Sequence, residues 1–273
     1  MGRIGVLIAL LLIPASLAGC GGSTLMNTTS LTPDKAAEGS GYGSGASAYP
    51  TAEDTAAAGP ERFNPLADPS DKPAGGREVI ADPTIADVML TGTLPEMSFG
   101  RGDALVTIIE YASLTCPHCR NFHLKTYPQF KKAYIDTGKV RYILREFPIG
   151  KTSGAASIAL RCAPPQKYLT LFGKFMEQQA TWVSQEVRLD PIFQVAAQVG
   201  MTRQQFDACR ENQSMIEGLK WVKDRGRKLG VIGTPNFFVA GKLVKKELTM
   251  EDIRAMVDPL IAGRATASAG APN

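Results

Sequence analysis

Leu105 to Tyr111 (LVTIIEY) is a short β-branched run of the kind that forms a buried strand, and it runs almost directly into Cys116-Pro117-His118-Cys119. The loop Ala112 to Thr115 separates the two. After the second cysteine, Phe122, Tyr127, Phe130 and Tyr134 recur at roughly helical spacing. The segment therefore reads as strand, tight turn, helix. Gly138 stops the helix, Val140 to Phe147 (VRYILREF) supplies a second strand, and Pro148 closes it. Two strands flanking one helix make the βαβ start of an α/β sheet. Order is expected from near Asp103, and residues 96–154 form the first part of the folded domain.

Residues 155–229 hold no convincing strand. Their amphipathic helical patterns, broken at Pro164-Pro165, Pro191 and Gly200, read as an all-helical insertion. Trp182 and Trp221 fall to its core, and Lys220 to Lys228 (KWVKDRGRK) to a solvated helix face. The domain resumes over 230–262. Asn236 to Ala240, the turn Gly241-Lys242 and Leu243 to Lys246 make a hairpin, and a last helix runs from Thr249, capped with Asp252, to Ile261. Residues 263–273 are expected to be a disordered tail.

Ahead of this domain the chain reads differently. Arg3 and the apolar run Ile4 to Ile13 have the form of a signal peptide over 1–19, too short to span a bilayer comfortably. Leu17-Ala18-Gly19-Cys20 resembles the bacterial lipobox, which would make Cys20 a lipidation site and tie the chain to a membrane. Two acyl chains anchor firmly, at roughly 0.8 kcal/mol per buried methylene. Residues 20–95, rich in Gly, Ser, Ala, Thr and Pro, read as a flexible tether with a reach of roughly 45 Å. Only Glu78 to Met89 carries weak apolar content suited to docking on the domain. The net charge of +4 is small and its cations are scattered, so nucleic acid is excluded as a partner.

Cysteines three apart at the start of a helix lie one turn apart on one face, so their sulfurs can close a ring or separate as a dithiol. Pro117 suits a first turn, which needs no amide donor. The first sulfur sits at the N–H end of the helix, where partial positive charge favours thiolate, and His118 adds a polar or cationic neighbour. A stabilised thiolate is a good leaving group and favours the reduced form, so the disulfide oxidises other thiols. Cys116, nearer solvent, is the sulfur to be attacked; Cys119, a turn deeper, is the resolving one. A zinc site would need two more Cys or His ligands. The only histidines, His118 and His123, sit on this same helix, so no metal and no cofactor is expected.

Val106 to Cys119, then Phe122-His123, resembles the active-site segment of DsbA-type proteins, and Arg145-Glu146-Phe147-Pro148 and Gly233-Thr234-Pro235 follow in that family's order. The resemblance covers about Phe99 to Ile261. It implies a thioredoxin fold with an inserted helical subdomain, a cis Pro235 facing the disulfide, and a Thr234 backbone that pairs with substrate as an added strand. Glu110 matches an acidic residue beneath the disulfide, suited to take the proton that Cys119 loses. The bland alternative for Glu110 is a solvated strand residue. His123 is read as a packed or surface helix residue rather than a participant.

Cys162 and Cys209 remain. In an oxidising compartment, with Cys20 lipidated and the Cys116–Cys119 pair self-contained, they are left to pair with each other, for about 4 kcal/mol of loop-entropy stabilisation. The resulting expectation is an exported, lipid-anchored thiol-disulfide oxidoreductase on the periplasmic side of a bacterial membrane. Its partners would be reduced exported polypeptides and a DsbB-like, quinone-linked membrane reoxidant. The alternatives are a disulfide isomerase or reductase, and a non-catalytic, metal-handling surface lipoprotein.

Overall fold

The computed structural model describes residues 78–269. The expected signal peptide, Cys20 and most of the tether lie outside them. Among the described residues no helix is long and apolar enough to cross a membrane.

The sheet has five strands: β1 (Met97–Phe99), β2 (Val106–Ala112), β3 (Val140–Glu146), β4 (Asn236–Val239) and β5 (Lys242–Val244), in the order β1-β3-β2-β4-β5. Only β2 and β3 pair in parallel, from Val106 opposite Val140 to Ala112 opposite Glu146. The crossover between them is helical, which is the connection a parallel pair requires. From Ile108 to Ala112 every residue of β2 is buried, because both faces of the sheet are covered. Alternation puts Val106, Ile108 and Ala112 in one apolar cluster and Ile109 and Tyr111 in another. Glu110 shares its parity with the first set, on the face that also packs Cys119 and Phe122.

The helix after the motif is not uniform. It starts as α2 (Pro117–Asn121), widens to a π-helical turn over Phe122–Thr126, returns as α3 (Tyr127–Phe130) and widens again over Lys131–Ile135. Pro128 offers no amide and its ring crowds the preceding turn, so the backbone locally re-registers. The helical insertion comprises α4 (Gly150–Cys162), α5 (Pro165–Glu177), α6 (Gln179–Trp182), α7 (Leu189–Ala197), α8 (Arg203–Arg210) and α9 (Gln213–Lys228). It therefore begins at Gly150, slightly ahead of the expected 155. Cys162 at the end of α4 and Cys209 in α8 form a disulfide, with Cα atoms 6.1 Å apart.

Three expectations need correction. The tether does not stay free to residue 95, and order begins well before Asp103. Thr84 and Asp87 form a reciprocal capping box on the short first helix, α1 (Ile85–Met89), and Val88 is buried. This strap is then held by three arginines. Arg145 Nη1 donates to Val88 O at 2.8 Å, Arg161 Nη1 to Pro95 O at 2.6 Å, and Arg225 Nη2 to Asp87 O at 2.6 Å. Second, Lys220 to Lys228 is not simply a solvated face: Val222, Lys223 and Gly226 are buried where α9 packs on the sheet, with Gly226 against Tyr111. Long cationic side chains there bury their stems. Trp182 is fully buried in the main core as expected, whereas Trp221 is only partly buried and packs with the second cluster, beside Gly92. Third, the last helix, α10 (Met250–Ala269), continues past Ile261 into the expected tail. Its alternating alanines are strong helix formers, and Gly270 follows its end.

Candidate active site

Cys116 is the N-cap of α2, with extended backbone (φ −77°, ψ 123°), and its sulfur accepts the Cys119 amide at 3.5 Å. The strand end aims the loop at this point, and several hydrogen bonds hold it there. Cys116 N donates to Ser113 O at 3.0 Å, Ser113 Oγ lies 2.8 Å from Ser153 Oγ, and Ile149 N donates to Ser113 Oγ at 3.2 Å. From the insertion, Gln179 Nε2 donates to Leu114 O at 2.7 Å and to Cys116 O at 3.1 Å. A side chain 63 residues away thus steadies the nucleophile's own carbonyl. No local pattern marks Gln179 for that task.

Opposite the motif, the Thr234–Pro235 peptide bond is cis and the Cys116 thiol donates to Thr234 O at 3.1 Å. The Thr234 hydroxyl is buried with no hydrogen-bond partner among the described residues. Cys116 and Cys119 are both free thiols, and their environments differ. The Cys119 thiol's hydrogen bond is the largest influence on Cys116. Burial works against it, but Thr234 and the amides of Cys119 and His118 add to it, and the Cys116 thiol falls to about 5. Cys119 is fully buried. Burial first, then its bond to Cys116 and the charge of Glu110, hold it well above the ordinary thiol value.

Glu110 is fully buried rather than solvated. Its Oε2 accepts from the Tyr142 hydroxyl and lies 3.0 Å from His123 Nε2, while Oε1 has no partner among the described residues. His123 is packed, as read from the sequence, between Phe122, Tyr127 and Phe172, but it also touches Glu110. A strand residue and a helix residue thirteen apart carry no joint signature. His118 departs from expectation. Its backbone amide supports the Cys116 sulfur, but its exposed ring turns to Glu247, with Nδ1 3.1 Å from Oε2. Among the described residues no cluster of His, Cys, Asp and Glu is arranged to hold a metal ion.

Two sulfurs of opposite disposition at a helix start, facing a proline loop, suit thiol-disulfide exchange, and the relatives agree. A thioredoxin family model matches residues 93–259. A putative protein-disulfide oxidoreductase of Rickettsia bellii is 30% identical over 193 residues, covering 69% of this chain and 74% of the relative. The chain spans 59% to 66% of the length of three further rickettsial relatives of that description. A probable disulfide bond formation protein D of Bacillus anthracis is 28% identical, covering 56% of this chain and 73% of the relative. The crystal structure of Wolbachia pipientis alpha-DsbA1 superposes with a TM-score of 0.61 at 25% identity, covering 67% of this chain and 98% of that one. The chain belongs to the thioredoxin family, as a DsbA-type protein-disulfide oxidoreductase.

Proposed function

We propose that this protein is an oxidase that passes the Cys116–Cys119 disulfide to reduced, exported polypeptides. The unequal disposition of its two sulfurs is the observation that carries the reading. A substrate thiolate attacks Cys116 Sγ, the more accessible sulfur, and the Cys116–Cys119 bond breaks as the mixed disulfide forms. Cys119 leaves with the electron pair and, buried as it is, takes a proton. A second substrate thiolate then attacks the substrate sulfur of the mixed disulfide. Cys116 departs as a thiolate, which a value near 5 makes a good leaving group. The substrate gains one disulfide, and the protein retains two electrons as its dithiol.

Glu110 is the group that exchanges the proton with Cys119, since its charge is coupled to that thiol and its Oε1 is uncommitted. The Thr234 backbone receives the substrate chain as an added strand beside Cys116. A DsbB-like, quinone-linked membrane protein reoxidises the dithiol, and lipidation at Cys20 holds the domain on the periplasmic side of a bacterial membrane.

Cys119→Ala removes the sulfur that can reverse the first step, re-forming the Cys116–Cys119 bond and expelling the bound polypeptide, so complexes that the Cys116 thiolate makes with disulfide-bearing proteins lose that escape. It is expected to accumulate mixed disulfides with exported proteins, seen on non-reducing gels and collapsed by reductant. A clean gel would favour a non-catalytic module. Cys20→Ser is expected to leave the membrane fraction, and unchanged fractionation would remove the lipid anchor from the account.

A further inference from the structure

His118 lies inside the motif with its side chain 72% exposed, yet its ring is not loose. Glu247, from the loop after β5, lies 3.1 Å from His118 Nδ1 through Oε2 and accepts from Asn121 Nδ2 through Oε1. One carboxylate thus holds the motif's histidine and the last residue of α2 together. The loop that presents it is fixed on both sides. Lys246 Nζ sits 2.5 Å from Asp252 Oδ1, Leu248 is 1% exposed in the core, and Thr249 and Asp252 cap α10 reciprocally, with Thr249 N to Asp252 Oδ2 at 3.0 Å and Asp252 N to Thr249 Oγ1 at 3.1 Å. Glu247 is therefore held against α2 from a separate part of the chain, 129 residues from His118.

An imidazole free to approach the sulfur would stabilise the thiolate, and with it the dithiol form of the couple. The largest influences that favour the Cys116 thiolate are the Cys119 thiol, Thr234 and two backbone amides, and the His118 ring is engaged with a carboxylate, Nδ1 lying 3.1 Å from Glu247 Oε2.

We propose that Glu247 is a positioning residue for His118, keeping the imidazole off the Cys116 sulfur and offsetting its charge, so that the Cys116–Cys119 disulfide is a milder oxidant than the motif alone would make it. The inference rests on the reading that this pair exchanges disulfides with foreign thiols. The relevant equilibrium converts the protein disulfide and two glutathione molecules into the dithiol and glutathione disulfide, a balanced two-electron exchange. Whatever stabilises the thiolate draws it toward the dithiol.

The test equilibrates the full chain with glutathione buffers and follows Cys116 thiolate absorbance against pH. Glu247→Gln is expected to shift the equilibrium toward the dithiol by about fivefold and to lower the thiolate midpoint. Asn121→Ala, which frees the other carboxylate oxygen, is expected to move both in the same direction by less and serves if the first variant folds poorly. In a His118→Phe background, Glu247→Gln is expected to shift the equilibrium by under about twofold. No shift, a shift toward the disulfide, or an equal shift in both backgrounds overturns the proposal. A wild-type chain that exchanges nothing with glutathione overturns the oxidase reading as well, whereas an active wild type with an unmoved Glu247→Gln overturns this inference alone.

Discussion

Two glutamates are buried on neighbouring strands and served in opposite ways. Glu146, at the end of β3, is 2% exposed, and both of its oxygens are occupied. Arg161 approaches through Nε to Oε1 and through Nη2 to Oε2 at 2.6 Å, and the Tyr168 hydroxyl donates to Oε1 at 2.6 Å. Glu110, in β2, is fully buried and offers Oε2 to Tyr142 and His123, while among the described residues it meets no guanidinium and its Oε1 has no partner. A buried carboxylate closed by a bidentate arginine has its charge matched and both oxygens bonded; it joins parts of the fold. One with an oxygen not bonded by protein groups is less fully compensated for its burial, and under the proposed exchange that oxygen is available to a proton. Under the exchange proposed above, the difference would separate a structural acid from one that moves a proton.

The largest test of this contrast is Arg161→Met. It strands Glu146 without its cation and also releases Pro95 O in the strap, so stability is expected to fall by about 3–5 kcal/mol in urea unfolding. The rate at which small thiols reduce the Cys116–Cys119 disulfide should stay close to wild type. A loss under about 1 kcal/mol would break the comparison, since Glu146 would then be no more committed than Glu110. Glu110→Gln is expected to do the reverse. Resolution of a preformed mixed disulfide by Cys119 should slow about 100-fold, in the range general base catalysis supplies, with stability unchanged or raised. Stopped-flow resolution at the wild-type rate would return Glu110 to a packing role.

Next in size is the pH response of the other sulfur. Cys116 is depressed to about 5, so alkylation by iodoacetamide should be nearly flat from pH 9 to pH 6 and fall with protonation through pH 5. Linkage follows the same sign. A depressed value stabilises the folded dithiol fully above the unfolded thiol's own range, and this contribution declines as pH falls toward 5 and is lost below it. A reactivity midpoint near that of a free thiol would remove the asymmetry on which the proposed exchange rests.

What the sequence made legible, and what it did not, follows the range of the interactions. The strand into Cys116, the helix after it, the hairpin Asn236 to Val244 and the helical insertion are set by local periodicity and by punctuation at Gly138, Pro148 and Gly241. Glu78 to Met89 was legible only as a segment suited to docking; its continuation through β1 was not, because that strand is three residues long in a segment rich in Thr, Gly and Pro, and the strap's anchors are backbone carbonyls held by Arg145, Arg161 and Arg225. Beside that weak apolar content, the capping pair Thr84 and Asp87 is a second local signal for the helix it starts. In α9 the density of Lys and Arg concealed Leu219, Val222 and Gly226, which face the interior. The contacts that tune the site were least accessible of all. Gln179 to Cys116, Glu247 to His118 and His123 to Glu110 join elements that only the tertiary fold brings together.

The finest division of the Glu110 cluster is between its carboxylate and the imidazole beside it. His123→Phe keeps an aromatic ring among Phe122, Tyr127 and Phe172 but removes the nitrogen 3.0 Å from Glu110 Oε2, leaving Tyr142 to hold that oxygen. One hydrogen bond is worth about 1 kcal/mol, so resolution by Cys119 should slow about fivefold, well short of the loss in Glu110→Gln. If the two variants prove equally slow, the proton goes to the imidazole, and Glu110 becomes the residue that orients it. If His123→Phe matches wild type while Glu110→Gln does not, the carboxylate works through its open Oε1 without help from the ring. An intermediate rate assigns the ring to orienting the carboxylate through Oε2, with the proton still exchanged by Glu110.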